Sequence, residues 1–385
     1  MERREDGITL LLDPGKARKP FTTRPANAAD NAELIELAAA CPMKAAVSIC
    51  VHREPDFFAL NRLEGDRWSV AVAEADGGLV IGCSAMAARR VWLDGGIVET
   101  TYVSDLKVHP DHRGKGAADA LTLYAWDWCS RIGADVPALI TVLGGNRSME
   151  RRIRACRAMP PLTRSGTIRV HTVSLLGRRR VSSDTGTTVS PATPEDLEEM
   201  ADLWRRVMSR RQFAPAHSPA ELAEWIAAAP GLEMEDYWLA RDRDGRIAGY
   251  LALWDQRPLK QLHVVGLTLR GAIFRALFNA AAHALAAPRI PPPGDHIPCL
   301  AALHVCVPAD RPEVLHRLLA TAHSEFRGRY SFFTVGLDVR DPLTAALRGF
   351  WRLPADVHAF ATSPDGRYAG PRQRAWPIHF ETALV

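Results

Sequence analysis

Tyr102, Ser104, Leu106 and Val108 recur at period two, and Pro110 and Asp111 close the run, which predicts a buried strand. Past the next turn, Ala118, Leu121, Ala125 and Trp128 fall at helical spacing, which predicts a helix from about Ala117. Between the two lies Asp111-His112-Arg113-Gly114-Lys115-Gly116. A strand, a glycine turn and a helix start in this order point the first unpaired helix amides back into the turn. Gly114 and Gly116 let those amides approach an anion without a Cβ in the way, and Arg113 and Lys115 add positive charge. The stretch is an anion cradle. It is not a dinucleotide fingerprint, because Asp119 stands where the third glycine belongs, nor a P-loop, because no Gly-Lys-Ser/Thr is present. A further strand over Ala138 to Leu143 ends in Gly144-Gly145-Asn146, ahead of a helix at Arg147.

The same pattern of elements is written twice. Residues 177–189 carry no apolar periodicity and read as a linker, with Arg178-Arg179-Arg180 as its solvated flank. Residues 24–37 align without gaps on 190–203, each a strand end, an Asp near a helix start and an amphipathic first helix. Both halves then show a hairpin: Trp68 to Ala87 turning at Asp76-Gly77-Gly78, and Tyr237 to Trp254 turning at Asp244-Gly245. The halves differ at the cradle. Leu300 to Val307 and Glu313 to Ser324 match its strand and helix, but Pro308-Ala309-Asp310-Arg311-Pro312 lies between. Two prolines remove two donors and Asp310 repels a phosphate, so no cradle is expected there.

Composition changes this picture little. The 385 residues suit two domains, 1–178 and 190–385, joined by 179–189. Hydrophobic residues make up 47% and charged residues 24%, the average for a globular protein. A net charge of +4 is too mild to point to nucleic acid. With no bilayer-length apolar run and no apolar core in the first residues, the expectations are a cytoplasmic address and no membrane partner. Seven cysteines, an odd and scattered set, make no disulfide framework. Cys299, His304 and Cys306 lack a fourth ligand at zinc spacing and read as core, so no metal is expected.

Arg113-Gly114-Lys115-Gly116-Ala117-Ala118 matches Arg/Gln-x-x-Gly-x-Gly/Ala directly after a strand ending Val-x-Pro. The chain in this respect resembles the GNAT superfamily of acyl-CoA-dependent N-acyltransferases. The resemblance implies an α/β fold with a mixed sheet, here two tandem GNAT-like domains of which the second is degenerate. It implies acetyl transfer from acetyl-CoA to a primary amine by direct attack, with a small amine or peptide as partner and a homodimer allowed. The diphosphate would lie on Arg113, Gly114, Lys115, Gly116, Ala117 and Ala118, and pantetheine along Leu106, Lys107 and Val108. Asn146 would contact the cofactor arm, although Gly-Gly-Asn is also ordinary helix-cap chemistry.

The family's catalytic groups carry over less well. An acid tyrosine often stands seven residues past that Asn, but Ile153 is there. Tyr102, Cys156 or a water would have to protonate the thiolate. For the base the candidates are Glu99, Asp105 and His109; Asp105 is best placed, and equally fits a structural carboxylate. In some tandem members the chain's terminal carboxylate enters the site as base, and the tail 376–385 is apolar enough to pack inward. The segment covering the acceptor holds Glu54, Asp56 and Phe57, which would suit a cationic amine. The same residues fit a helix start with Asp56 as cap and Phe57 and Phe58 as core. Two alternatives stay open: a non-catalytic acyl-CoA sensor, which the missing tyrosine favours, and an acyltransferase using another acyl chain, since nothing in the cradle measures acyl length.

Overall fold

The computed structural model describes residues 21–155, 161–177, 186–369 and 375–384. In the first half β1 (Phe21–Pro25) leads through a capping turn into α1 (Asn31–Ala39). Asp30 closes that turn by accepting from the Asn27 amide at 2.7 Å and from two nitrogens of Arg24, each at 2.8 Å. β2 (Val47–His52), α2 (Ala59–Glu64), β3 (Arg67–Ala75), β4 (Val80–Leu93) and β5 (Gly96–Val108) follow. The glycine turn then enters α3 (Ala117–Ile132), and β6 (Ala138–Leu143), α4 (Arg147–Ala155) and β7 (Thr163–Ser174) complete the half. Alternation on β3 serves two layers: Val70 and Val72 pack on Leu34 and Leu37 of α1, while Ala71 and Ala73 pack on Leu121 and Ala125 of α3.

The second half repeats this order. β8 (Thr188–Pro191) and a capping turn with Thr193 and Asp196 lead into α5 (Leu197–Met208), and Asp196 is again paired to an arginine, Arg241. Next come β9 (Ala214–Pro215), α6 (Pro219–Ala228), β10 (Tyr237–Arg241), β11 (Ile247–Trp254) and β12 (Gln261–Leu267). α7 (Leu269–Ala284), β13 (Cys299–Cys306), α8 (Pro312–Phe326), β14 (Phe332–Asp338) and β15 (Arg352–Thr362) end the series. All eight residues of β11 are buried, because α5 and α6 cover one face of the sheet and α8 the other. Pro308 and Pro312 stand where the first half has its glycines, and the Arg311 amide turns back to the Pro308 carbonyl.

The halves do not form two sheets. One sheet runs β1-β3-β4-β5-β6-β15-β7-β14-β13-β11-β10-β8, so β15 is inserted beside β6 and β7 beside β14. Each half thus lends its last strand to the other, and the β15–β7 ladder joins them at the centre. The residues 178–185, most of the expected linker with its three arginines, lie outside the described part. A separate ribbon of β2 and β12 also crosses between halves. The tail from Trp376 to Leu384 threads between them: the Gln212 amide bonds the Pro377 carbonyl, the Ile378 amide bonds Asp338 at 2.8 Å, and Thr382 lies against Gly336 on β14. Among the described residues no helix is long and apolar enough to cross a membrane.

Candidate active site

The glycine turn has the geometry of an open cradle. Gly114 and Gly116 adopt φ of 79° and 89°, the left-handed region that favours glycine, and a Cβ built on either would meet nothing within 4 Å. Gly116 caps α3 without a side-chain partner. Among the described residues no protein acceptor takes the amides of Gly114 to Ala118, so this end of a 16-residue helix faces outward with its donors free. Arg113 folds back along the strand, its Nε 3.1 Å from the Val108 carbonyl. Lys115 is exposed on the turn.

Above the cradle the sheet splits. β5 and β6 pair only at Thr101–Val103 with Ala138–Ile140, although β5 continues to Val108 and β6 to Leu143. Among the described residues the β6-facing edge of Ser104 to Val108, which includes Leu106, Lys107 and Val108, therefore has no strand partner. The Tyr102 hydroxyl reaches across to Thr141 Oγ1 at 2.8 Å. At the head of the split β5 carries a bulge: Asp105 and Leu106 together oppose Ser84, and Asp105 has φ of 51°. At the far end, Asn146 Oδ1 accepts from the Met149 amide at 3.1 Å and so caps α4.

Several side chains chosen from the sequence are engaged elsewhere. Asp105 is half-buried between Arg53, at 2.9 Å, and Lys107. Burial alone would raise its pKa, but the Lys107 and Arg53 charges outweigh that and hold it well below the ordinary carboxylate range. A carboxylate so stabilised is a poor base, so its structural role prevails. Glu99 is an exposed partner of Arg67, away from the split. Asp56 forms a turn just ahead of α2, accepting from the Phe58 amide at 2.9 Å, and pairs with Arg62, while Phe57 is wholly buried beneath the Arg53 guanidinium. Glu54 is exposed and engaged through its backbone with Gln261. Cys156 and Val385 lie outside the described residues.

What the sequence did not reveal is a cavity of about 210 Å³ between the halves. Glu64 at the end of α2 supplies one wall, Arg89 another, and His217, Trp225, His304 and Glu381 of the second half the rest. Gly65 holds Glu64 there, since its Cα passes so close to the Ala88 carbonyl that no Cβ would fit. The Glu64 carboxyl accepts from Ser104 Oγ at 3.1 Å, one residue before the bulge, and from Asn61 Nδ2 at 3.2 Å. Burial, then the Asp105 charge, push its pKa up to about 7, against the pull of Asn61, Arg53 and Arg89. That value suits proton transfer at neutral pH.

The opposite wall is held by the tail. Glu381 accepts from the His304 amide at 3.2 Å and from His379 at 2.7 Å. Its burial is outweighed by His379, and its pKa falls to about 2. His304, desolvated and bonded to the Tyr237 hydroxyl at 2.7 Å, drops to about 4, and His217, also desolvated, to about 3. Both rings are neutral at pH 7. Five carboxylates, Glu64, Asp66, Glu221, Glu224 and Glu381, face three guanidiniums, so the cavity favours a cation. His304 is buried, as expected of a core residue, and the left-handed bulge at that position, φ 48°, also sets it in the cavity wall.

No protein-family model and no curated protein matches the sequence. Solved structures do match the fold. A GCN5-related N-acetyltransferase from Sphaerobacter thermophilus aligns over 91% of this chain and 97% of its own, with a TM-score of 0.57 and 14% identity. Saccharomyces cerevisiae N-myristoyltransferase, solved with myristoyl-CoA, aligns over 96% and 91%, with a TM-score of 0.62 and 12% identity. A GCN5-related N-acetyltransferase from Anabaena variabilis covers 89% of this chain and 73% of its own at 0.51 and 14%. The chain thus shares its overall fold with solved GCN5-related N-acetyltransferases and with N-myristoyltransferase, and within its own sheet the order of strands from the edge inward is the same in both halves.

Proposed function

We propose that the chain is an acyl-CoA-dependent N-acyltransferase that moves an acetyl group from acetyl-CoA to a primary amine. The observation that carries this reading is the conjunction of a donor-lined glycine turn, a split between β5 and β6, and a carboxyl tuned to about 7 beside the split. The diphosphate would rest on Arg113 to Ala118, and the pantetheine arm would pair with the free edge of Leu106 to Val108. Bound acyl-CoA supplies an activated thioester. Ionised Glu64 would take a proton from the ammonium, directly or through water. The neutral amine then attacks the carbonyl carbon, the C–N bond forms and the C–S bond breaks. The nitrogen then gives up its second proton and the thiolate takes one, and Tyr102, whose hydroxyl reaches across the split, would pass that proton from one to the other. Glu381 and the other carboxylates would hold the incoming cation, with Trp225 as apolar wall.

The yeast neighbour was solved with myristoyl-CoA, so acyl length is the first variable to test. Calorimetric titration of acetyl-CoA and myristoyl-CoA into wild type and Lys115→Glu, followed by thiol release across an amine panel, decides the matter. Binding lost in the variant, with turnover on any amine, supports the enzyme. Binding without turnover on any amine favours the sensor reading, and no binding of either thioester removes both.

A further inference from the structure

α7 is apolar on both sides, and the protein uses one of them. Phe278 and Ala282 face inward onto the β2–β12 ribbon, and Gly271 packs so tightly on the Ala46 carbonyl that the helix is seated there. The other side presents Leu269, Ile273 and Leu277 along one ridge, 78%, 53% and 69% exposed, with alanines 272, 276, 280 and 284 exposed around them. A solvent-facing helix ordinarily carries charge on such a face. Beside it Trp351 stacks on Phe278 at 6.2 Å yet stays 56% exposed, and Leu353, 54% exposed, continues the patch. A contiguous apolar surface of this kind marks a docking face.

Charge decides what docks. Residues 256–294 contain no Asp or Glu, although the chain has 44 of them; Arg257 pairs with Asp255 and Lys260 turns inward to the Ala383 carbonyl, which leaves Arg270, Arg275 and Arg289 as the cations of the helix and its flank. Arg270 and His283 lie on the outer face of the helix, and Arg289 sits 2.9 Å from His283. A second copy packed helix to helix about a two-fold axis would set these cations against their own images with no carboxylate to answer them. An anionic lipid surface answers both features: apolar side chains enter the acyl boundary, arginines meet the headgroups, and an exposed tryptophan sits at the interface. We propose that the outer face of α7, with Trp351, docks on an anionic bilayer. This departs from the expectation of no membrane partner that composition alone suggests, and it is independent of the acyl-transfer reading.

The test is co-sedimentation of the full chain with vesicles of phosphatidylcholine alone and with phosphatidylglycerol added. Partition into the anionic vesicles, weakening with salt, is expected. Leu277→Glu and Ile273→Glu, both at exposed positions, should each reduce it about tenfold or more while leaving the melting temperature unchanged. Failure of the wild type to bind anionic vesicles overturns the proposal, as does binding that neither substitution affects. A dimer in sedimentation equilibrium that Leu277→Glu converts to monomer would assign the face to a second copy instead.

Discussion

Asp105 and His304 occupy one and the same position in two copies of a strand. Each is left-handed, with φ of 51° and 48°, and each opens a bulge in which two residues oppose one: Asp105 and Leu106 against Ser84, His304 and Val305 against Leu251. Their surroundings have diverged. In the first half the split below the bulge is bordered by the glycine turn; in the second, the tail lies beside β13 and β14 and a tail carboxylate, Glu381, accepts from the His304 amide. β13 and β14 pair only from Cys299 to Ala301, so the gap beyond that pairing holds part of the chain itself, while the cavity is lined by His304 of the second bulge and by Glu64, which accepts from Ser104 beside the first.

Glu64→Gln should lower kcat by about two to three orders of magnitude and remove the ionisation near pH 7 from the rate profile. Stability moves the other way. Because the folded pKa, about 7, is raised above the ordinary glutamate value of 4.5, this group favours the fold below pH 4.5, and that contribution is lost as pH rises through 7. At about 1.4 kcal/mol per unit the ionised form costs on the order of 3 kcal/mol. Thermal melts from pH 5 to 8 should therefore show the glutamine variant gaining on wild type as pH rises.

Asp105→Asn should behave as a structural lesion. Removing the charge leaves Arg53 and Lys107 buried without it, a loss of about 3–5 kcal/mol in chemical denaturation. Since the folded pKa is depressed, the wild-type contribution is present above about pH 4 and disappears as pH falls below it. The pH at half-maximal rate should be unchanged in whatever fraction folds; a shift in it would restore Asp105 as the base.

Gly336→Ala tests the tail. The added Cβ would overlap Thr382, and with β14 fixed in the sheet the tail must yield. Carboxypeptidase should then trim the variant past Glu381 while wild type resists, and KM for the amine should rise because one cavity wall has moved. Equal resistance of both proteins would mean that the tail is held by Ile378 and Phe380 alone.

The cradle can be probed without disturbing the core. Gly116→Ala places a Cβ in open space but at φ of 89°, so it should cost about 1 kcal/mol of stability and weaken acyl-CoA binding modestly. Arg113→Ala with Lys115→Ala should weaken binding about tenfold or more at low salt and flatten its salt dependence. An unchanged salt slope in the double variant would place the diphosphate elsewhere.

The sequence by itself determined the elements and the cradle. Alternation at 102–108, helical spacing from Ala118, the Asp-Gly turns and the paired capping motifs at Asp30 and Asp196 are local signals, carried by residues within one or two turns of each other. The glycines at 114 and 116 were legible for the same reason, since a left-handed turn is a property of the residue that makes it. Only the tertiary structure decided that β7 and β15 change places, because strand insertion is settled by which edge is left unpaired, and that depends on residues nearly two hundred apart. The proposed base was illegible on the same ground. Glu64 and Asp105 are both acidic residues with no distinguishing neighbours in sequence. Burial and the Asp105 charge outweigh Arg53 and Arg89 and raise one, while the Lys107 and Arg53 charges outweigh burial and lower the other. A pKa belongs to the surroundings of a group, and those exist only once the chain is folded.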